Sequence, residues 1–231
     1  MKLQKFSIYA KHPEKVQDLA ARVEQQGFQW SQDAPDFVIT LGGDGTFLAA
    51  ERTLPGVPKL LVRDSLVCYK CQNEPLDEML ALLQEDRGCI EEIIKLEVTH
   101  SDSQLLAVND AILRNENLTQ AIRFTVHESS KGIDVQAIGD GIVVATAFGA
   151  TGYYRSVTRS AFSQGIGLAF NNPTEEQPPR ILDESIELTV TLTRGIGQLA
   201  VDNNPDIRQV EAGDRLTIRK ASQVARLVSY L

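Results

Sequence analysis

Two kinds of apolar pattern succeed one another along the chain, and the change falls near residue 90. In the first stretch, short apolar runs alternate with segments of helical period. Lys2 to Ala10 reads as a strand, and Pro13 opens a helix with Val16, Leu19, Ala20 and Val23 on one face, closed by Gly27. Phe28 to Trp30 predicts a short strand. Asp36-Phe37-Val38-Ile39-Thr40-Leu41 is a compact apolar run that stops at two glycines, which suits a strand buried on both faces. Thr46 is placed to cap a helix containing Phe47, Leu48 and Ala49, and Pro58 to Val62 supplies another strand. Pro75 then starts a helix with Leu76, Met79, Leu80 and Leu83 at helical spacing. This alternation predicts a parallel, Rossmann-like α/β domain over residues 1–90.

Beyond Glu91, β-branched runs recur at short spacing. They lie at Ile93 to Val98, Leu105 to Leu113, Ile122 to His127, Ile133 to Ala137 and Ile142 to Ala147. Later runs lie at Ile186 to Leu192, Gln198 to Val201, Leu216 to Ile218 and Val224 to Tyr230. Thr151 to Phe162 has helical character, and Asn171 to Pro179 reads as an exposed loop. The pattern predicts a mostly antiparallel β-sandwich over residues 91–231, with the extreme C-terminus free to return to the first domain. The fold class is thus α/β plus β.

Composition narrows the function. The 231 residues are 42% apolar, enough for a substantial core, and the formal charge is −8. An acidic chain without a basic stripe is a poor partner for nucleic acid or an anionic membrane. The N-terminus lacks the pattern of a signal peptide, and no stretch approaches transmembrane length. Three cysteines argue against a disulfide framework and for a reducing compartment, so a cytoplasmic location is expected. Cys68-Tyr69-Lys70-Cys71 has the spacing of a redox or metal pair, with Cys89 and His100 as more distant candidates. Structural zinc sites usually show two such pairs, so no metal ligands are assigned.

Four segments carry candidate chemistry. In Gly42-Gly43-Asp44-Gly45-Thr46, glycines between a buried strand and a helix let backbone amides approach an anion, and the helix start adds a favourable dipole. Asp44 would repel a phosphate, but it suits a general base or a hydrogen-bond acceptor for a hydroxyl. Asn109-Asp110 is a polar pair in an apolar run, which must find partners or face a cleft. Asp140-Gly141 reads equally as an ordinary turn. Thr146 to Ser156 is a strand breaking into small and hydroxyl residues before a helix, where Thr151 and Ser156 can meet a phosphate or ribose and Tyr153 can stack on a base.

The order of these segments resembles the NAD kinase family over essentially the whole chain. That family reads as a GGDGT loop, an Asn-Asp or Asn-Glu pair, an Asp-Gly, a Thr-Pro-x-Gly-x-Thr-Ala-Tyr segment and an Asp-Gly-Gln near the end. The matches are Gly42 to Thr46, Asn109-Asp110, Asp140-Gly141, Thr146 to Ser156 and Asp202-Asn203-Asn204. The first is identical and the last is degraded. The resemblance implies transfer of the ATP γ-phosphoryl group to the 2′-hydroxyl of the adenosine ribose of NAD, with a divalent metal such as Mg2+. It implies that Asp44 activates the hydroxyl, and that Gly42, Gly43, Gly45 and Thr46 lie against the nucleotide. Asn109 and Asp110 would hold the adenosine portion, with Asp140, Thr151, Gly152, Tyr153, Ser156 and Asn204 lining the pocket. A homodimer or homotetramer is also implied.

This chain departs from the family at several points. Arg63-Asp64-Ser65-Leu66-Val67-Cys68 stands in place of a glycine-rich segment, and Phe148, Ala150 and Gly152 alter the later motif. Val157-Thr158-Arg159 replaces a pair of glycines. Two alternatives follow: a non-catalytic relative that binds NAD or NADP as a regulator, or a small lipid kinase of the diacylglycerol type, which shares the GGDGT loop.

Overall fold

Six consecutive buried residues, Phe37 to Gly42, form the central strand of a parallel sheet in the computed structural model. The structure describes residues 3–66, 68–72, 74–129 and 132–230, so the expected strand start at Lys2 lies outside it. The chain divides into two units, Met1–Ile93 with Val224–Leu231, and Ile94–Gln223.

In the first unit, β1 (Lys5–Ala10) leads through a 3₁₀ turn at Pro13–Lys15 into α1 (Val16–Gln25). There follow β2 (Gln29–Trp30), β3 (Phe37–Gly42), α2 (Asp44–Thr53), β4 (Lys59–Arg63) and α3 (Leu76–Gln84). The strands run parallel in the order β2-β1-β3-β4, and Leu227 near the chain's end pairs in parallel with Lys59 of β4. Phe6, Val23, Phe37, Ile39, Leu60, Met79, Leu80 and Val228 share one apolar core. The fully buried Lys59 ammonium bonds the Glu51 carboxylate and the Leu54 carbonyl, which pins the far end of α2 to β4. Removing one partner of such a buried pair costs about 3–5 kcal/mol.

The strand β5 (Gly88–His100) leads out of the first unit. The second unit holds β6 (Ser103–Ala107), β7 (Asp110–Asn115), β8 (Ile122–Glu128), β9 (Ile133–Gly139) and β10 (Gly141–Thr146). A 3₁₀ turn at Gly149–Thr151 precedes α4 (Tyr153–Thr158). The remaining strands are β11 (Ile166–Asn171), β12 (Arg180–Leu182), β13 (Glu187–Arg194), β14 (Gly197–Val201), β15 (Arg208–Val210) and β16 (Arg215–Tyr230), whose last residues belong to the first unit. One antiparallel sheet runs β12-β11-β10-β7-β14-β15, and a second carries β16-β13-β8-β9. Phe124, Val126, Leu188 and Val190 from the second sheet meet Leu113, Ile142, Val144, Leu168 and Leu199 from the first in one sandwich core. The α/β-plus-sandwich fold class expected from the pattern is the one observed.

Several elements differ from expectation. Leu105 to Leu113 is not one run but two strands, broken at Val108-Asn109. The helix expected over Thr151 to Phe162 is only six residues long and ends at Arg159, whose φ is 61°. Leu216 to Ile218 and Val224 to Tyr230 are parts of one strand. The pattern gave no sign of β11, whose Gly167 and Ala169 dilute the apolar signal; a Cβ at Gly167 would lie 2.4 Å from the Phe162 ring. The three-residue β12 and β15 were also not expected.

Candidate active site

Asp44 is the first residue of α2, set there by the glycines before it. A Cβ on Gly42 would lie 2.1 Å from the Thr46 hydroxyl oxygen, so only glycine lets the chain turn this tightly out of β3. Thr46 does not begin the helix, as expected, but sits one turn in, and its Oγ1 accepts the Gly43 N–H at 3.3 Å. The first-turn amides and the dipole of α2 favour an anion nearby.

The Asp44 carboxylate is not free. The Tyr69 N–H donates to its Oδ2 at 3.1 Å, and the Lys70 N–H donates to Oδ1 at 3.0 Å. The Cys68 Sγ lies 3.1 Å from the same Oδ1. A disulfide joins Cys68 to Cys71, so that sulfur carries no proton and the contact is not a hydrogen bond. Of the two readings of this spacing, a redox or a metal pair, the disulfide fits the first; a ring closed over two intervening residues constrains only its own turn and is no framework, and Cys89 is unbonded. The Arg63 guanidinium donates to the Cys68 carbonyl at 2.7 Å, and Lys15 pairs with Asp64 at 2.6 Å at the loop's base. Val67 lies outside the described residues. Burial pushes the Lys70 ammonium below its ordinary pKa, against the pull of Asp44 and Glu91.

In the second unit the Asn-Asp pair lies at the break between β6 and β7, where Asp202 takes the exposed amides. Its carboxylate accepts the Val108 N–H at 2.8 Å, Asn109 at 2.7 Å and Asp110 at 3.2 Å. Thr146 completes the break: its hydroxyl donates to the Val108 carbonyl at 2.6 Å and accepts the Gly149 N–H at 3.0 Å. Gly149 packs so closely that a Cβ there would lie 2.1 Å from the Asn109 carbonyl oxygen. The Asn109 side-chain oxygen is buried and finds no hydrogen-bond partner among the described residues.

Asp110 lies 5% exposed beside Asp202. Burial first, and the Asp202 charge second, push its pKa up to about 7, against a hydrogen bond from the Tyr153 amide. Burial likewise raises Asp202, while its three amides and Lys95 oppose the rise. Tyr153 is tied in further, because the Asn171 side chain donates to its hydroxyl at 3.4 Å. The Asp140 N–H donates to the Asn171 carbonyl at 2.9 Å. The structure therefore joins Asn109, Asp110, Tyr153 and Asp140 in one network and places Gly152 against Asp110, with a Cβ position 3.8 Å from its Oδ2. Ser156 joins it through Tyr153, whereas Asn204 stands apart. The Ser156 hydroxyl donates to the Tyr153 carbonyl at 2.7 Å, and the Asn204 side-chain oxygen accepts the Asp206 N–H at 3.1 Å. Thr151 closes the 3₁₀ turn before α4.

No family model matches the chain. It is 27% identical over 212 residues to an NAD kinase of Ruminiclostridium cellulolyticum, a match covering 84% of this chain and 72% of that one. To an NAD kinase of Sulfurisphaera tokodaii it is 33% identical over 158 residues, covering 65% of this chain and 60% of that one. The fold superposes on the crystal structure of an NAD kinase from Archaeoglobus fulgidus in complex with ATP with a TM-score of 0.82, covering 98% and 94% of the two chains at 18% identity. The curated relatives support a divergent member of the NAD kinase family, and the solved structure shares its fold. Yeast NADH kinase complexed with NADH gives a TM-score of 0.84, again at 18% identity, covering 100% of this chain and 84% of that one.

Within this family frame, two residue sets escaped the sequence reading. Asp202 was visible only as the first residue of a degraded match, and nothing in the pattern linked it to the amides 92 to 94 residues earlier. The Cys68–Cys71 turn was marked by its spacing, but its contact with Asp44 was not. The divalent metal implied for the family member was tested against the donors at Asp44. The ligand atoms of Asp44, Cys68 and Cys71 lie within 4.8 Å of one another, yet one carboxylate beside two bonded sulfurs does not suit a hard cation that takes oxygen ligands.

Proposed function

We propose that the chain transfers the γ-phosphoryl group of ATP to the 2′-hydroxyl of the adenosine ribose of NAD, giving NADP. The observation that carries this reading is Asp44 at the first position of α2, directly beyond the glycine pair that ends β3, in a chain related to NAD kinases. In this reading an Asp44 oxygen accepts the hydroxyl proton as the ribose oxygen attacks phosphorus. The amides around Gly42, Gly43 and Gly45 face phosphate, and Thr46 holds the turn. The buried, unpartnered Asn109 oxygen accepts a hydrogen bond from the adenosine, since a buried acceptor left unpaired costs about 1–3 kcal/mol. Asp110 and Tyr153 border the same position, with Gly152, Thr151 and Asp140 around them and Ser156 and Asn204 at its margin.

A homo-oligomer in the cytoplasm belongs to the same proposal; no described helix is long and apolar enough to cross a membrane. The test is incubation of the purified protein with NAD, ATP and Mg2+, with NADP followed enzymatically. NADP should accumulate in step with ADP. ADP formation without NADP would sink the acceptor assignment, and binding of NAD without any turnover would replace the kinase reading by the regulatory one.

A further inference from the structure

The catalytic reading of Asp44 meets an obstacle in its own surroundings: both carboxylate oxygens are engaged by the 68–71 turn. The two donating amides belong to Tyr69 and Lys70, and these are the two residues that the Cys68–Cys71 disulfide encloses. Each Asp44 oxygen already accepts an amide N–H, and the Cys68 sulfur lies against Oδ1, so a substrate hydroxyl must share or displace a contact to reach either oxygen. The covalent ring keeps both amides aimed at Asp44. Without it, they sit in a stretch that belongs to no helix or strand, with Tyr69 67% exposed and Cys71 half-buried.

We propose that Cys68 and Cys71 are a redox modification site whose disulfide holds Asp44 in an engaged, low-activity state and whose reduction by a dithiol releases it. This rests on the assignment of Asp44 to phosphoryl transfer. The chemistry balances as an exchange. A thiolate of the dithiol attacks the half-buried Cys71 sulfur; Cys68 leaves as a thiolate and takes a proton. The second thiol of the reductant then attacks the mixed disulfide, so that Cys71 is also released as a thiol and the dithiol departs oxidised. Two electrons and two protons pass to the cysteines. A cysteine pair with two residues between its members is well suited to such exchange. Half-burial of Cys71 gives a small dithiol its point of attack, whereas Cys68, 5% exposed, is the sheltered leaving group. Cys89 takes no part: its sulfur lies 3.0 Å from the Ser229 hydroxyl.

The test uses the full chain in three forms: oxidised, reduced with dithiothreitol, and the Cys68→Ser/Cys71→Ser double variant. Alkylation should count one thiol in the oxidised form and three after reduction. Amide exchange read by NMR at Tyr69 and Lys70 should quicken at least about tenfold on reduction, and the double variant should exchange quickly whatever the reductant. NADP formation should rise roughly tenfold on reduction, within the range general-base catalysis supplies. Unchanged amide exchange in the fully reduced protein, or NADP formed at the same measurable rate in the two redox states, would overturn the proposal. If the amides are released but neither form makes NADP, the kinase reading falls, while the redox site stands on the exchange data. Should the double variant fail to fold, the reduction and reoxidation of the natural chain decide alone.

Discussion

Asp44 and Asp202 are both carboxylates that accept backbone amides, yet they are held in opposite ways. The three donors to Asp202 come from the short gap between β6 and β7 and the first residue of β7, and both flanking strands lock that gap by pairing with their neighbours. The two donors to Asp44 come from a loop outside the sheet, and what fixes them is a covalent link between neighbouring side chains. The first arrangement cannot change without breaking strands. The second changes when one bond is reduced. A carboxylate in the first setting serves structure, and one in the second is available to chemistry.

The largest effect expected from breaking this contrast is at Asp202. Asp202→Ala leaves three amides without their acceptor, and the loss of hydrogen bonds to a charged group should lower stability by about 3 kcal/mol or more. Urea unfolding followed by circular dichroism measures it; a midpoint close to wild type would mean that water satisfies the gap. The next effect is pH dependence. The Asp110 pKa is raised from 3.8 to about 7 in the fold, so the folded chain favours its protonated form. That contribution is fully present below pH 4 and is lost as pH rises from 4 through 7, on the order of 2 kcal/mol once residual solvation is allowed for. Asp110→Asn should flatten this part of the stability–pH curve, and a slope unchanged in the variant would remove Asp110 as its source. The smallest effect is at Lys15, whose exposed pair with Asp64 stands at the base of the Asp44 loop. Lys15→Ala should change stability by less than about 1 kcal/mol. A larger loss in the same unfolding experiment would show the loop to be held from its base rather than by its disulfide.

The layered plan was legible because period decides it. The fully apolar Phe37–Leu41 run and the 3.6-residue spacing of Leu76, Met79, Leu80 and Leu83 placed the parallel layer, and all of these residues are buried. What escaped lacks a period. β11 carries glycine and alanine because the Phe162 and Tyr154 rings press on it, so its apolar content looks ordinary. The break in Leu105 to Leu113 depends on Asp202, a partner more than ninety residues away that no local window sees. The same limit applies to the site. GGDGT named Asp44 from local chemistry alone, whereas the loop that covers it and the network that joins Asn109, Asp110 and Tyr153 are products of tertiary contact.

The central claim is that Asp44 acts on the hydroxyl during transfer rather than on binding. The most direct measurement is a comparison of the natural chain with Asp44→Asn, both reduced, for NADP formation and for NAD affinity by calorimetry. The account predicts a fall in kcat of about 10²-fold or more with NAD affinity altered only a few-fold. Equal turnover in the variant would contradict it, as would a loss carried wholly by weaker NAD binding.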